Sequence, residues 1–236
     1  FEKRVTPKTK MVVLTNPNNP TGTVYTRSTM EKLADFCIRH DLLCVVDQCF
    51  EDSVFDGHEY VSMMALPGMW ERTITIGSIS KGTGLCGFRV AYIVAPESIT
   101  EVFHQTAVLF IGATNTMAQA GITAALKDTR FMEDMRQEWM IRADILGSIL
   151  DTIPHIRYVK PQAGFFFWID VSYYGTDEEV MRYLVQEANV LVSTGALFTD
   201  STHIRIIYGC LKDREACINA VKAVKEALER HPKNQQ

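Results

Sequence analysis

Four short apolar runs punctuate the first hundred residues. Residues 10–15 (KMVVLT), 42–47 (LLCVVD), 73–78 (TITIGS) and 89–95 (RVAYIVA) are of strand length and rich in β-branched side chains. Their apolar residues follow one another rather than alternating with polar ones. That pattern predicts strands of a parallel or mixed sheet covered on both faces. Between the first two runs, Ser28-Thr29-Met30-Glu31 has the capping-box pattern and opens a predicted helix to about His40. The fold class is therefore α/β.

Helical periodicity then takes over. Residues 101–110 and 116–126 read as helices, and a longer one covers about 131–153, with Met135, Trp139, Leu146, Ile149 and Ile153 on one stripe. Pro154 ends it. Strands are predicted at 164–171 and 203–207. Between them Thr176-Asp177-Glu178-Glu179 caps a helix striped by Val180, Met181, Leu184, Val185 and Ala188. A last helix, 212–230, is predicted to bury Ile218, Val221, Val224 and Leu228. Without strict βαβ alternation this half reads as a smaller α+β domain, so the expected division is 1–128 and 129–236. Residues 233–236 read as a disordered tail.

Composition narrows the partners. The 236 residues are 47% hydrophobic and 22% charged, with a net charge of −4, so no basic footprint calls for nucleic acid or an anionic membrane. No apolar run is long enough to span a bilayer. Cys37, Cys44, Cys49, Cys86, Cys210 and Cys217 form no CxxC and no zinc-site spacing. They read as reduced thiols of a cytoplasmic protein, with no metal expected. The chain opens on Phe1 with no signal or transit peptide and enters a buried-type strand at residue 10. It reads as the continuation of a longer polypeptide whose N-terminal portion is missing.

The candidate chemistry lies in three loops at predicted strand ends, where α/β sheets place their ligands. They are Asn16-Pro17-Asn18-Asn19-Pro20-Thr21-Gly22, the strand-end Asp47, and Ser78-Ile79-Ser80-Lys81 followed by Gly82, Gly84, Gly87 and Arg89. Each has a bland reading: a loop lysine is usually solvated, a strand-end Asp usually caps a turn, and Asn19 sits in ordinary turn chemistry. The functional reading makes Lys81 a desolvated amine able to form a Schiff base. Ser78 and Arg89 would then hold a phosphate, with glycines permitting close approach. The lysine precedes the glycines, so this is not a P-loop.

Taken together and in order, these motifs resemble the fold-type I pyridoxal-phosphate (PLP) enzymes of the class I/II aminotransferase group. The likeness rests on NPxNPTG at 16–22, Asp47, SxSKxxxxxGxR at 78–89, Arg205 on a late strand, and the strand beginning Pro161-Gln162-Ala163-Gly164. It implies part of the large mixed-sheet α/β domain followed by a C-terminal α+β small domain. It also implies roles. Lys81 would hold PLP and move the proton between the substrate α-carbon and the cofactor, and Asp47 would pair with the pyridinium nitrogen. Asn19 would bond the ring oxygen, Ser78 and Arg89 the phosphate, and Arg205 the substrate carboxylate in bidentate fashion. Ser80 is a secondary candidate. A homodimer and amino-acid and 2-oxo-acid substrates are implied as well.

Three departures qualify the likeness. Phe50 stands where the family usually has a Tyr that bonds the ring oxygen. Without that donor, a Schiff base on Lys81 should hold its proton more tightly. The family's upstream phosphate cup and stacking aromatic are not in this chain, so free PLP should bind it weakly. Residues 111–119 contain no Arg, which argues against a dicarboxylic substrate.

The expected function is transamination between an amino acid and a 2-oxo acid. The alternatives are another PLP reaction (β-elimination, decarboxylation or oxidation), the sensor domain of an aminotransferase-like transcription regulator, or a catalytically dead fragment. The histidines, the aromatic run 165–168 and the methionines are read as surface, capping or core groups.

Overall fold

The computed structural model describes residues 1–234; Gln235 and Gln236, the end of the tail read as disordered, lie outside the described residues. The rest of that tail is ordered. Pro232–Asn234 forms a 3-10 turn, in which Lys233 Nζ donates to the Tyr173 carbonyl at 3.0 Å and Asn234 Nδ2 to the Leu228 carbonyl at 2.8 Å. Two compact units are present. The first is Phe1–Asn18 with Thr23–Met135, and the second is Asn19–Gly22 with the chain from Arg136 onward. All six cysteines are free, and no described helix is long and apolar enough to cross a membrane.

The first unit is built on a four-stranded mixed sheet, order β1-β2-β3-β4. Strands β1 (Met11–Thr15), β2 (Leu43–Asp47) and β3 (Thr73–Ser78) run parallel, and β4 (Ala91–Val94) is antiparallel to β3. One face carries Val12, Leu14, Cys44 and Val46 into a core with Met30, Ala34 and Cys37 of helix α1 (Arg27–Arg39), closed by Leu66 and Met69. The other face is not covered as expected. Met11 and Val13 of β1 are 47% and 66% exposed, and Ile93 of β4 is 41% exposed. Apolarity on both sides of these strands is real, but on the second side this chain buries Ile74 of β3 and leaves the outer strands β1 and β4 open.

Helix α1 starts one residue before the Ser28–Glu31 pattern. Thr26, in an extended conformation, accepts the Thr29 N–H and so takes the cap that Ser28 was expected to provide. Helix α2 (Glu97–Phe110) begins four residues earlier than its periodicity suggested, directly after Pro96, and buries none of its side chains. Helix α3 (Thr116–Ala125) is capped by Asn115, whose Oδ1 accepts the Ala118 N–H at 3.0 Å. Its Ala118 and Ile122 pack on Ile79, with Leu85 and Val90 at the edge of the cluster.

In the second unit, helix α4 (Arg130–Leu150) turns Trp139, Ala143, Leu146 and Leu150 inward from Arg136 onward, and Arg142 with them. The helix stops before Ile153, which is buried in the turn leading to Pro154. A four-stranded antiparallel sheet follows, order β5-β6-β8-β7: β5 (Arg157–Tyr158), β6 (Phe166–Asp170), β7 (Ser193–Thr194) and β8 (His203–Ile207). The two edge strands went unpredicted because two residues carry no periodicity. Helix α5 (Asp177–Ala188) has the capping box foreseen at Thr176 and Glu179, and buries Val180 and Leu184 while leaving Val185 41% exposed. Helix α6 (Arg214–Glu229) is capped by Asp213 and presents Cys217, Val221, Val224 and Leu228 to the core.

Gly195, which opens a 3-10 turn over Gly195–Phe198, has no room for a side chain: a Cβ there would lie 2.0 Å from the Asp200 carbonyl oxygen and 2.4 Å from that of His203. Both are backbone atoms that cannot rotate away. Gly195→Ala should therefore destabilise the second unit by about 3 kcal/mol, read as a shift in denaturant unfolding. Unchanged unfolding would mean the turn is looser than described.

Candidate active site

The parallel strands decide where the chemistry can gather. Asp47 is the last residue of β2 and pairs in register with Ile76, two residues before Ser78 at the end of β3. Side chains two apart point to the same side, so Asp47 and Ser78 project from one face at the same end of the sheet. The ladder continues past the strand: Asn16 N–H donates to the Asp47 carbonyl and Gln48 N–H to the Ile76 carbonyl, both at 2.9 Å. The carboxylate is held as well, because Asp47 Oδ1 accepts the Cys49 N–H at 3.0 Å. The bland reading of Asp47 as a turn residue is thus correct and compatible with a second role.

Beyond β3 the chain turns sharply. Gly84 N–H donates to the Lys81 carbonyl at 3.0 Å, Gly84 has a left-handed φ of 68°, and the Thr83 hydroxyl donates to the Ile79 carbonyl. Gly82 is required here, since a Cβ would come within 2.6 Å of the Asp52 side chain. This turn carries Lys81 back over the β2 end: its ammonium lies 5.9 Å from the centre of the buried Phe50 ring, within cation–π range. Cys49 locates the pair of candidate groups. Its thiol is hydrogen-bonded to Asp47 and lies in the electrostatic field of Lys81. Burial first, and the Asp47 carboxylate second, push that thiol up to about 12. Asp47 and Lys81 therefore both act electrostatically on one half-buried side chain.

The proposed phosphate ligands are less tightly drawn. Ser78 Oγ accepts the Ser80 N–H at 3.1 Å. Arg89 is exposed, adopts a left-handed φ of 54°, and donates from Nη1 to the Cys86 carbonyl at 2.8 Å.

A separate cluster sits in the second unit. Arg205 of β8 donates through Nη1 to Asn19 Oδ1 at 2.7 Å and through Nη2 to Ser193 Oγ at 3.3 Å. Its guanidinium lies 4.8 Å from the Phe198 ring centre and 5.6 Å from that of Phe166. Burial draws its pKa down, and among the described residues its buried Nε has no hydrogen-bond partner. A buried arginine with an unused donor suits a bound anion. His203 stacks on Trp168 with ring centres 5.0 Å apart and bonds Asp200, as a strand-face residue does.

Three site residues escaped sequence reasoning. Asn16 looks like loop filler, yet it is fully buried, anchors Asp47, and accepts the Tyr25 N–H at 2.9 Å. Gln48 and Cys49 sit between the two residues that drew attention. Nothing in their types marks them; only their place between Asp47 and Phe50 could have.

Comparison with known proteins agrees with the motifs. The family model for aminotransferase class I and II matches residues 1–224. An aromatic-amino-acid aminotransferase 2 of Thermococcus litoralis is 32% identical over 96% of this chain and 60% of its own length. An aspartate aminotransferase of Pyrococcus abyssi is 30% identical over 99% of this chain and 59% of its own. The crystal structure of an aromatic aminotransferase from Pyrococcus horikoshii superposes with a TM-score of 0.92 at 29% identity, covering 98% of this chain and 63% of that one. The chain spans about 60% of the length of the curated relatives it matches.

The Cys49 environment makes a prediction about reactivity. The thiolate is the nucleophile, so a thiol whose pKa lies near 12 alkylates slowly at neutral pH. Iodoacetamide at pH 7.5 should label the exposed Cys86 and Cys210 and leave Cys49 unmodified. Labelling at Cys49 should still be rising at pH 10. Rapid modification of Cys49 at pH 7.5, read by peptide mass, would contradict its placement beside Asp47.

Proposed function

This chain belongs to the aminotransferase class I and II family, and from that premise we propose that it is the cofactor-binding part of a PLP-dependent aminotransferase. The reaction moves an amino group between an amino acid and a 2-oxo acid. The observation that carries the reading is the gathering at one end of the sheet: Asp47 and Ser78 leave the same face, and the turn after β3 brings the Lys81 ammonium to 5.9 Å from the Phe50 ring centre. The donor set fits PLP: a carboxylate for a ring nitrogen, an amine for an aldehyde, and a hydroxyl and a guanidinium for a phosphate. The first unit corresponds to the C-terminal part of the large domain and the second to the small domain.

When bound, the cofactor supplies an electron-withdrawing ring beside the substrate α-carbon. Asp47 would pair with the ring nitrogen. Lys81 Nζ would hold the cofactor by its aldehyde and would be the group that moves the proton at the substrate α-carbon. Ser78 and Arg89 hold the phosphate. Asn19 bonds the ring oxygen through its amide N–H while its carbonyl oxygen keeps Arg205 in place. Arg205 would grip the substrate carboxylate, using the Nε that has no partner among the described residues. The working form is a cytoplasmic homodimer. Relatives named for aromatic amino acids and for aspartate match almost equally well. The Arg-free segment 111–119 favours a substrate without a second carboxylate.

A second reading, a different PLP reaction on an amino acid, is favoured by Phe50, which presents a ring face to Lys81 where the family has a hydroxyl. Phe50→Tyr should raise transamination relative to side reactions by about tenfold, the scale of one hydrogen bond to a charged group. The measurement is 2-oxo-acid release with and without an amino acceptor. Acceptor-independent ammonia release by the unaltered protein would replace transamination with this second reading.

The direct test is borohydride reduction of the full-length protein with PLP, followed by peptide mapping. The reduced pyridoxyl group should be on Lys81, and Lys81→Ala should lower transamination by at least about a hundredfold. A label on any other amine would refute the assignment.

A further inference from the structure

Gln48 is 8% exposed and uses every polar group it has. Its N–H continues the β2–β3 ladder to Ile76, its Oε1 accepts the Tyr60 hydroxyl at 2.7 Å, and its Nε2 donates to Glu51 Oε2 at 2.5 Å. The other Glu51 oxygen accepts the Tyr92 hydroxyl at 2.8 Å. Tyr92 lies across β3 at Gly77, the residue before Ser78, where a Cβ would come within 2.1 Å of its ring. A chain of bonds, Tyr60 to Gln48 to Glu51 and Tyr92 to Glu51, thus joins the turn after Asp47 to the strand pair that delivers Ser78 and Lys81. None of these four side chains has a part in the chemistry described above.

We infer that Gln48 is a positioning residue, which through Glu51 and Tyr92 locks the Asp47–Phe50 turn to the β3–β4 pair and so sets the acid opposite the amine. The inference rests on the PLP reading for its consequence, but the lock itself is a property of the protein alone. Among the described residues the Glu51 carboxylate has no cationic partner: burial raises its pKa, and the Tyr92 and Gln48 donors oppose that rise. Removing the Gln48 amide therefore leaves a desolvated acceptor beside the turn rather than a neutral gap.

The test compares Gln48→Leu, Tyr60→Phe and Gln48→Glu in the full-length protein. Gln48→Leu should weaken PLP binding about tenfold and Tyr60→Phe about threefold, as expected for losing buried hydrogen bonds. Gln48→Glu keeps the acceptor for Tyr60 but puts a second carboxylate against Glu51, with Asp47 and Asp52 the nearest other acids and Tyr60 and Tyr92 the neighbouring phenols. At pH 8 its two ionised groups repel. As pH falls to 6, one captures a proton and the donor returns. Its affinity relative to the unaltered protein should therefore recover on acidification, a profile that general loosening would not produce.

Equal PLP affinity in Gln48→Leu, or a pH-independent deficit in Gln48→Glu, would overturn the inference. Amide exchange on the unliganded protein separates it from the PLP reading. If the unaltered protein takes up no PLP, the proposed function fails, and lost protection at 48–53 in Gln48→Leu still supports the lock. Unchanged protection there would overturn it.

Discussion

Everything at the candidate site depends on how β2 ends. A parallel strand leaves its last carbonyl and the next N–H without partners unless neighbouring strands supply them. Here both neighbours do: Asn16 N–H reaches the Asp47 carbonyl from one side, and the Ile76 carbonyl receives Gln48 N–H on the other. The backbone on either side of the acid is thus pinned between β1 and β3. A carboxylate so placed can face a ligand without relying on loop order. The same register puts Ser78 on that face, and the following turn brings Lys81 to Phe50. An acid and an amine distant in sequence come to one end of the sheet because β3 runs only two residues past the level at which β2 stops.

Much of this could be read in advance, for identifiable reasons. β2 and β3 are uninterrupted apolar runs, and the punctuation after them is made of residues whose turn chemistry is strong. Asp47 at a strand end and Lys81 in a Ser/Gly turn are conspicuous because they break the local pattern. The capping box at Thr176 was legible because the whole interaction is local, Thr176 with Glu179. At α1 the same logic misled: Thr26, Ser28 and Thr29 all have cap chemistry, and backbone geometry chose the first. What local pattern could not reveal was the supporting shell. Gln48 and Asn16 are ordinary polar types whose importance comes from partners across the fold, such as Tyr60 and Tyr25.

The sheet's uncovered face shows a different limit. Continuous apolar strands predict cover on both sides, and the prediction concerns the strands, not what packs on them. Met11 and Val13 have the sequence of buried residues and the exposure of surface ones. Their side of the sheet is also the Asp47 and Ser78 side. The two units differ in this respect. Arg205 meets its needs among Asn19, Ser193 and two aromatic faces and keeps one donor in reserve.

Phe50 separates what the fold settles from what it leaves to chemistry. Its ring is buried and does the packing that a tyrosine ring would do, so the turn, the sheet and the approach of Lys81 are indifferent to the missing hydroxyl. A ring face attracts a cation but donates no proton and accepts none in exchange. The ring thus attracts the lysine ammonium without offering it the hydroxyl that a tyrosine would carry. On the proposed function, the handling of the substrate proton would turn on a single oxygen that the Phe50 ring does not carry, and backbone similarity does not supply it.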